Sequence, residues 1–268
     1  SAILVGGIIY SIVGVFFLRK ILIKYFTDGI AAMTLVIIYY GTNYFMHTTF
    51  HGQNALSHNY LFTLYTLIIW FTIKWHETFR MKYIMLLGLF CGLSSIARPS
   101  EIVCLLIPLL WEVGTNYSFI EKMKIIFKMK NQLFIFFFII NMVVMPQLIY
   151  WKLISGNYFF NSYGNNPGEG FEFLHPYILQ VLFSFRKGWF IYTPVVIFMV
   201  AGLYISLRNR MAFSYSFFAY FILNLYIVAS WSCWWYAESF GQRALIPSYA
   251  VMALPLGMII SFLFNYSR

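Results

Sequence analysis

Carboxylates are scarce in this sequence. Only 8 of its 268 residues are Asp or Glu, against 18 Lys and Arg, and charged residues make up 10% of the chain. An ordinary soluble domain carries about 25%, so that class is excluded. The same scarcity leaves few side chains for acid–base chemistry. Cysteine is nearly absent. Cys91, Cys104 and Cys233 have neither metal-site spacing nor the pattern of a disulfide framework. Cys91 and Cys104 read as small apolar helix residues. No basic run is long enough, or suitably interleaved, to build a nucleic-acid surface, and nucleic acid is not expected as a partner. A signal peptide pattern, with its basic n-region and cleavage site, is missing too. The chain opens at Ser1 already inside an apolar run, and it reads as a fragment lacking its N-terminal part.

What is present is apolar. Hydrophobic residues make up 61% of the chain, aromatics 22%, and the mean hydropathy is +0.75. Long apolar runs at this density predict a polytopic membrane protein, an all-α bundle forming one transmembrane domain over residues 1–268. Nine spans are expected, at 2–18, 28–46, 57–75, 81–97, 99–113, 132–151, 189–207, 212–230 and 244–265. With nine, the connections sort by charge. One side holds thirteen cations, among them Arg19, Lys20, Lys24, Lys74, Arg80, Lys122 and Lys124, with four acids, a net +9. The other side holds five cations and four acids, a net +1. The positive-inside rule makes the basic side cytoplasmic.

Residues 81–113 are expected as two short helices meeting at Arg98-Pro99. One helix would be ~50 Å long, too long for a ~30 Å hydrocarbon core. Trp151, Trp189, Trp231, Trp234 and Trp235 fall near the outer face, where tryptophan anchors at the interface. Pro176 is placed to start a short interfacial helix over 177–185.

Four cations sit against the charge bias: Arg98, Arg186, Lys187 and Arg243. A bound anion gives them a reason, and a lipid phosphate is the obvious one. Polar residues collect on the same side. Asn43, His47, His51 and His58 in the first outer loop are suited to an anion or a sugar hydroxyl. His47 and His51 at i,i+4 raise the question of zinc, but no carboxylate or Cys accompanies them, so a divalent metal is allowed and not indicated. Ser57 is placed to cap the third span. Glu101 sits in the first turn of the fifth, where it complements the helix dipole. In Trp231–Arg243, Trp235 and Tyr236 suit a sugar ring, and Glu238 is placed to pair with Arg243.

Several segments together resemble a known family. They are Gly41-Thr-Asn with Ser57-His58, the Ala97-Arg-Pro-Ser100 turn, Ser184-Phe-Arg-Lys-Gly-Trp-Phe-Ile-Tyr-Thr-Pro194 and Trp234-Trp-Tyr-Ala-Glu-Ser-Phe-Gly-Gln-Arg243. They are similar to bacterial integral-membrane glycosyltransferases of the GT-C superfamily, in the branch related to dolichyl-phosphate-mannose protein mannosyltransferases. The resemblance implies a multi-pass protein of the bacterial inner (cytoplasmic) membrane. It implies a polyprenyl-phosphate-linked sugar donor and transfer, with inversion, to a glycan, lipid or protein acceptor on the outer face. In that superfamily an acidic residue in the first outer loop acts as base, and no segment here matches that loop. The base is therefore expected upstream of Ser1, with Glu238 the best acid inside this chain. Ala237 stands where the family suggests a small residue, often Gly. An alternative use of the same basic cavity is a transporter or flippase of lipid-linked saccharides, which predicts interrupted helices and inverted repeats.

Overall fold

A computed structural model describes residues 2–49, 56–160, 163, 166–237 and 239–266. Within them the chain is all-helical, with thirteen α-helices, two short 3-10 segments and two isolated bridges. The helices are α1 Ala2–Leu22, α2 Asp28–Tyr40, α3 Tyr44–Thr49, α4 Ser57–Thr78, α5 Met81–Ala97, α6 Leu106–Leu110, α7 Phe119–Lys128, α8 Lys130–Ser155, α9 Ile178–Phe183, α10 Trp189–Tyr192, α11 Val195–Arg208, α12 Ser214–Ala229 and α13 Ile246–Tyr266.

α4 is the axis. It packs against α1, α5 and α13, and Leu61, Phe62, Tyr65, Ile68 and Ile69 are buried along it. α13 is the second core helix, with Tyr249 to Leu254 buried in succession between α4, α2 and α11. Where two helices must approach closely, glycine supplies the gap. Gly88 and Gly92 face the α8 backbone, and a Cβ on Gly88 would lie 2.9 Å from the Phe136 carbonyl oxygen. This is the small-xxx-small spacing that lets membrane helices touch. Gly202 of α11 is tighter still: its Cβ would lie 1.9 Å from the Pro255 carbonyl oxygen.

The outside of the bundle is apolar. Val5, Ile12 and Phe16 of α1 and Phe134, Met142 and Leu153 of α8 are exposed, a surface that suits lipid and not water. Among the described residues three stretches are long and apolar enough to cross a membrane: Val5–Leu22, Lys130–Ser155 and Arg243–Asn265. Of the other expected spans, 57–75 is a full-length helix, the 22-residue α4, and the rest are shorter or broken. α2, α5, α11 and α12 have 13, 17, 14 and 16 residues. At 1.5 Å per residue these are only ~20–26 Å long. Residues 28–46 break at Gly41 into α2 and α3, and 189–207 break at Thr193-Pro194 into α10 and α11. Proline cannot donate to the preceding turn, which explains the second break. Residues 99–113 form a 3-10 segment, Pro99–Leu105, followed by α6. The break at Arg98-Pro99 is where proline predicts it, with Pro99 in the first turn. Ser57 is the first residue of α4 and not its cap; Leu56 holds that position without a side-chain cap.

Connections gather at two ends. At one, Lys24 pairs with Glu77, Glu112 N–H donates to the Ala212 carbonyl (2.7 Å) and Thr115 Oγ1 donates to the Arg210 carbonyl (2.6 Å). This is the basic end. At the other, Glu172 N–H reaches the Ser230 carbonyl (2.6 Å), and Tyr177 N–H reaches that of Ala229 (2.7 Å). The four outlying cations lie at this second end.

Candidate functional site

The segment Trp231–Arg243 is the organising element of the second end. Its backbone takes an unusual course. Tyr236, Ala237 and Gly241 have φ of 48°, 52° and 59°. For the two non-glycine residues the left-handed conformation costs roughly 1–2 kcal/mol each, so surrounding contacts must hold it. Lys187 supplies several. Its Nζ donates to the Ala237 carbonyl (2.8 Å), to the Ser239 carbonyl and to Ser239 Oγ (3.1 Å). Gly188 permits this approach, because a Cβ there would lie 2.5 Å from the Ser184 carbonyl oxygen. On the other side, Asn43 Nδ2 (3.1 Å) and His47 Nε2 (3.1 Å) both donate to the Phe240 carbonyl. Asn43 Oδ1 accepts from Tyr249 Oη at 2.6 Å, and Tyr249 Oη accepts from Trp189 Nε1 at 3.0 Å.

These contacts revise several sequence readings. Asn43 is fully buried, and both ends of its amide are engaged within the protein, so it shapes the segment instead of offering itself to a sugar. Lys187 is a strut for loop carbonyls. Trp189 is not an interfacial anchor: it is completely buried in the core and bonded to Tyr249. Arg186 is exposed, with its guanidinium 4.1 Å from the Trp235 ring centroid, a stacked cation–π contact. His51 and Glu238 lie outside the described residues.

The inner part of the site is built around Arg98. It follows α5 in an extended conformation and opens the 3-10 segment. Its Nη1 donates to His58 Nδ1 at 3.4 Å, which fixes that His58 nitrogen as the acceptor. Arg98 Nη1 also lies 3.8 Å from Glu101 Oε1, and Glu101 Oε2 accepts from Tyr65 Oη at 2.7 Å. Glu101 is 2% exposed, so its carboxylate is turned inward to Tyr65 and Arg98. The Arg98 guanidinium stands 5.8 Å from the Tyr236 ring centroid. Arg243 lies within electrostatic reach of Arg98, His58 and Tyr236. Burial pushes the Tyr236 phenol above its usual range, against the opposing pull of the Arg98 guanidinium.

Two buried polar atoms here have no hydrogen-bond partner among the described residues: Arg243 Nε and Gln242 Oε1. A buried donor without a partner costs about 1–3 kcal/mol. A ligand with acceptor oxygens would satisfy Arg243. Arg98 and Arg243, like-charged and within electrostatic reach of each other, are likewise relieved by an anion. Arg98, His58, Tyr236 and Arg243 are thus brought together, while Arg186 and Lys187 hold the rim. Sequence reasoning missed Tyr65 and Gln242. Gln242 was within reach as a buriable amide beside Arg243; Tyr65 carries no signal until α4 and the 3-10 segment are seen side by side.

Among the described residues no three His, Cys, Asp or Glu side chains gather as a metal site. An apolar groove of about 430 Å3 between α1 and α2, lined by Ser11, Val15, Leu35 and Tyr39, lies apart from the arginines. Compared with known proteins, the chain matches no protein family, no curated sequence and no solved structure.

Proposed function

We propose that this chain is the phosphate-binding part of an integral-membrane glycosyltransferase of the GT-C kind. In this reading nine segments cross a bacterial inner membrane, some of them short, and the Arg98–Arg243 end faces outward. The observation that carries the reading is Arg98 beside the Tyr236 ring, with Arg243 within electrostatic reach of both and its Nε buried and unsatisfied among the described residues. A polyprenyl-phosphate sugar would place its phosphate there. As the glycosidic bond breaks, the leaving phosphate gains charge, and fixed guanidinium donors stabilise that state more than the ground state. Trp235 and Tyr236 suit the sugar ring, with Arg186 stacked behind Trp235.

The acids described at this end are poor bases. Glu101 is buried and bonded to Tyr65. Glu172 accepts from Tyr177 Oη at 2.8 Å, and Glu169 accepts from Asn166 at 3.1 Å. The base is assigned to a segment beyond this chain or to Glu238. A transporter of lipid-linked saccharides draws on the helix breaks at Gly41, Arg98-Pro99 and Thr193-Pro194 near the same end. One experiment separates the two. Transfer from a polyprenyl-phosphate sugar is assayed in the full-length protein with Arg243→Ala. Loss of a preorganised donor should lower kcat by ~10²–10³, with membrane insertion intact. Unchanged turnover sinks the transferase reading. Translocation of the lipid-linked sugar without transfer would establish the second.

A further inference from the structure

The basic end carries a feature that the proposed transfer does not use. α7 lies across this end and is closed at its start by a capping box, in which Ser118 Oγ accepts from Glu121 N–H and Ser118 N–H donates to Glu121 Oε2 at 2.8 Å. One side of α7 is pinned to the bundle. Lys122, 1% exposed, reaches inward to His76 Nε2 at 2.5 Å, between the rings of Trp75 and Tyr117. His76 Nδ1 donates to the Thr72 carbonyl (2.8 Å), so Nε2 is left to accept from Lys122. This fixes the rotation of α7. Ile120 and Phe127, two turns apart on one face of α7, then point outward, 66% and 68% exposed. Lys124 and Lys128 lie next to them, one step further around the helix, with Lys130 at the start of α8. Glu121 is the one acid on this exposed strip of α7.

Behind α7 is an apolar groove of about 160 Å3, lined by Trp75, Leu105, Pro108, Ile126, Leu133 and Phe136. The amide of Gln132 at its edge is spent on Trp75 Nε1 and the Phe79 carbonyl, both at 2.7 Å. The groove therefore offers hydrocarbon contacts beside a cationic strip. That combination matches an amphiphile with an anionic head.

We propose that α7 and the groove behind it bind an anionic phospholipid of the leaflet at the basic end. The headgroup phosphate sits on Lys124, Lys128 and Lys130. Ile120 and Phe127 enter the acyl region, as the apolar edge of an interfacial helix does, and a segment of one acyl chain lies in the groove. Each cation near a lipid surface contributes about 1 kcal/mol, roughly fivefold in affinity. With Glu121 opposing, two net charges predict a preference over a zwitterionic lipid on the order of tenfold or more.

The test uses the whole chain purified in detergent, with retained lipid counted by native mass spectrometry against added dioleoylphosphatidylglycerol or dioleoylphosphatidylcholine. Phosphatidylglycerol should be retained at least tenfold better. Combined Lys124→Gln, Lys128→Gln and Lys130→Gln should bring the ratio near one, while the matching Lys→Arg variant keeps it. Leu133→Trp, which fills the groove, should weaken both lipids and leave their ratio unchanged. Equal retention of the two lipids by the unaltered chain overturns the proposal. So does a preference that survives the Gln substitutions, or a Leu133→Trp variant that binds both lipids as before. None of these outcomes depends on sugar transfer.

Discussion

Replacing Glu101 with alanine tests the inner part of the site most directly. Tyr65 is fully buried and donates its hydroxyl to Glu101 Oε2 at 2.7 Å. Without that acceptor the hydroxyl is left unpaired, at about 1–3 kcal/mol. Arg98 also loses its ion pair. That pair is 3.8 Å long and Arg98 is 24% exposed, so water screens it. Its share is on the order of 1 kcal/mol or less. Glu101→Ala should therefore cost roughly 1–4 kcal/mol. Glu101→Gln keeps the volume and a carbonyl acceptor for Tyr65, and should cost about 1 kcal/mol or less. Because Tyr65 and Glu101 share one bond, Tyr65→Phe combined with Glu101→Ala should cost less than the two single changes added, by roughly 0.5–3 kcal/mol. Denaturant unfolding in nanodiscs of constant lipid composition, followed by tryptophan fluorescence, measures all four. Two results would refute the reasoning: a Glu101→Ala variant within about 0.5 kcal/mol of the parent, the scale of an ordinary surface change, or strictly additive losses. A stable Glu101→Gln variant should also hold lipid phosphate more weakly, since Arg98 is no longer fixed between His58 and a carboxylate.

Other expectations concern backbone, packing and charge. Gly202→Ala drives a Cβ into the Pro255 carbonyl at 1.9 Å, and overpacking of about 1–3 kcal/mol should outweigh the gain in helix propensity of about 1 kcal/mol; thermal melts in detergent check the sign. Ala237→Gly relieves a φ of 52° and should raise stability by up to ~1 kcal/mol, whereas Ala237→Val lowers it. Lys122 titrates at about 8 because burial disfavours its charge, against a partial offset from Glu112. Its folded value thus lies below the unfolded one, and between about pH 8 and 10.5 the unfolded chain holds the extra proton. Stability from this group therefore rises with pH across that window. Melts at pH 7 and pH 9.5 should show a smaller pH response in Lys122→Met than in the parent.

Much of the architecture is legible in the residues because lipid is a simple solvent. Long apolar runs must become helices to satisfy their own backbone, so 81–97 is found as the sequence places it and Pro99 ends it. Charge bias sorts the loops, and the basic loops do gather at one end. Segments that are apolar all round carry no such instruction about their breaks or their partners. Residues 28–46 read as one span, yet they turn at Gly41 and send Asn43 inward to Tyr249. Gly88 and Gly92 stand four apart in plain view, but which helix they admit is decided only when α8 lies on α5.

The site divides the same way. Composition and charge alone single out Arg98, Arg186, Lys187 and Arg243 as cations needing a reason, because a charge near hydrocarbon is costly wherever it sits. Their separate roles come from tertiary contact. Lys187 spends its charge on loop carbonyls, Arg186 stacks on Trp235, and Arg98 is held by His58 and Glu101. Each partner is 40 or more residues away in sequence except Glu101. Local sequence specifies how a side chain is charged and how costly its burial is. Only the folded chain specifies which distant carbonyl, ring or carboxylate meets that charge, since hydrogen bonds and ion pairs act over a few ångströms and not along the chain.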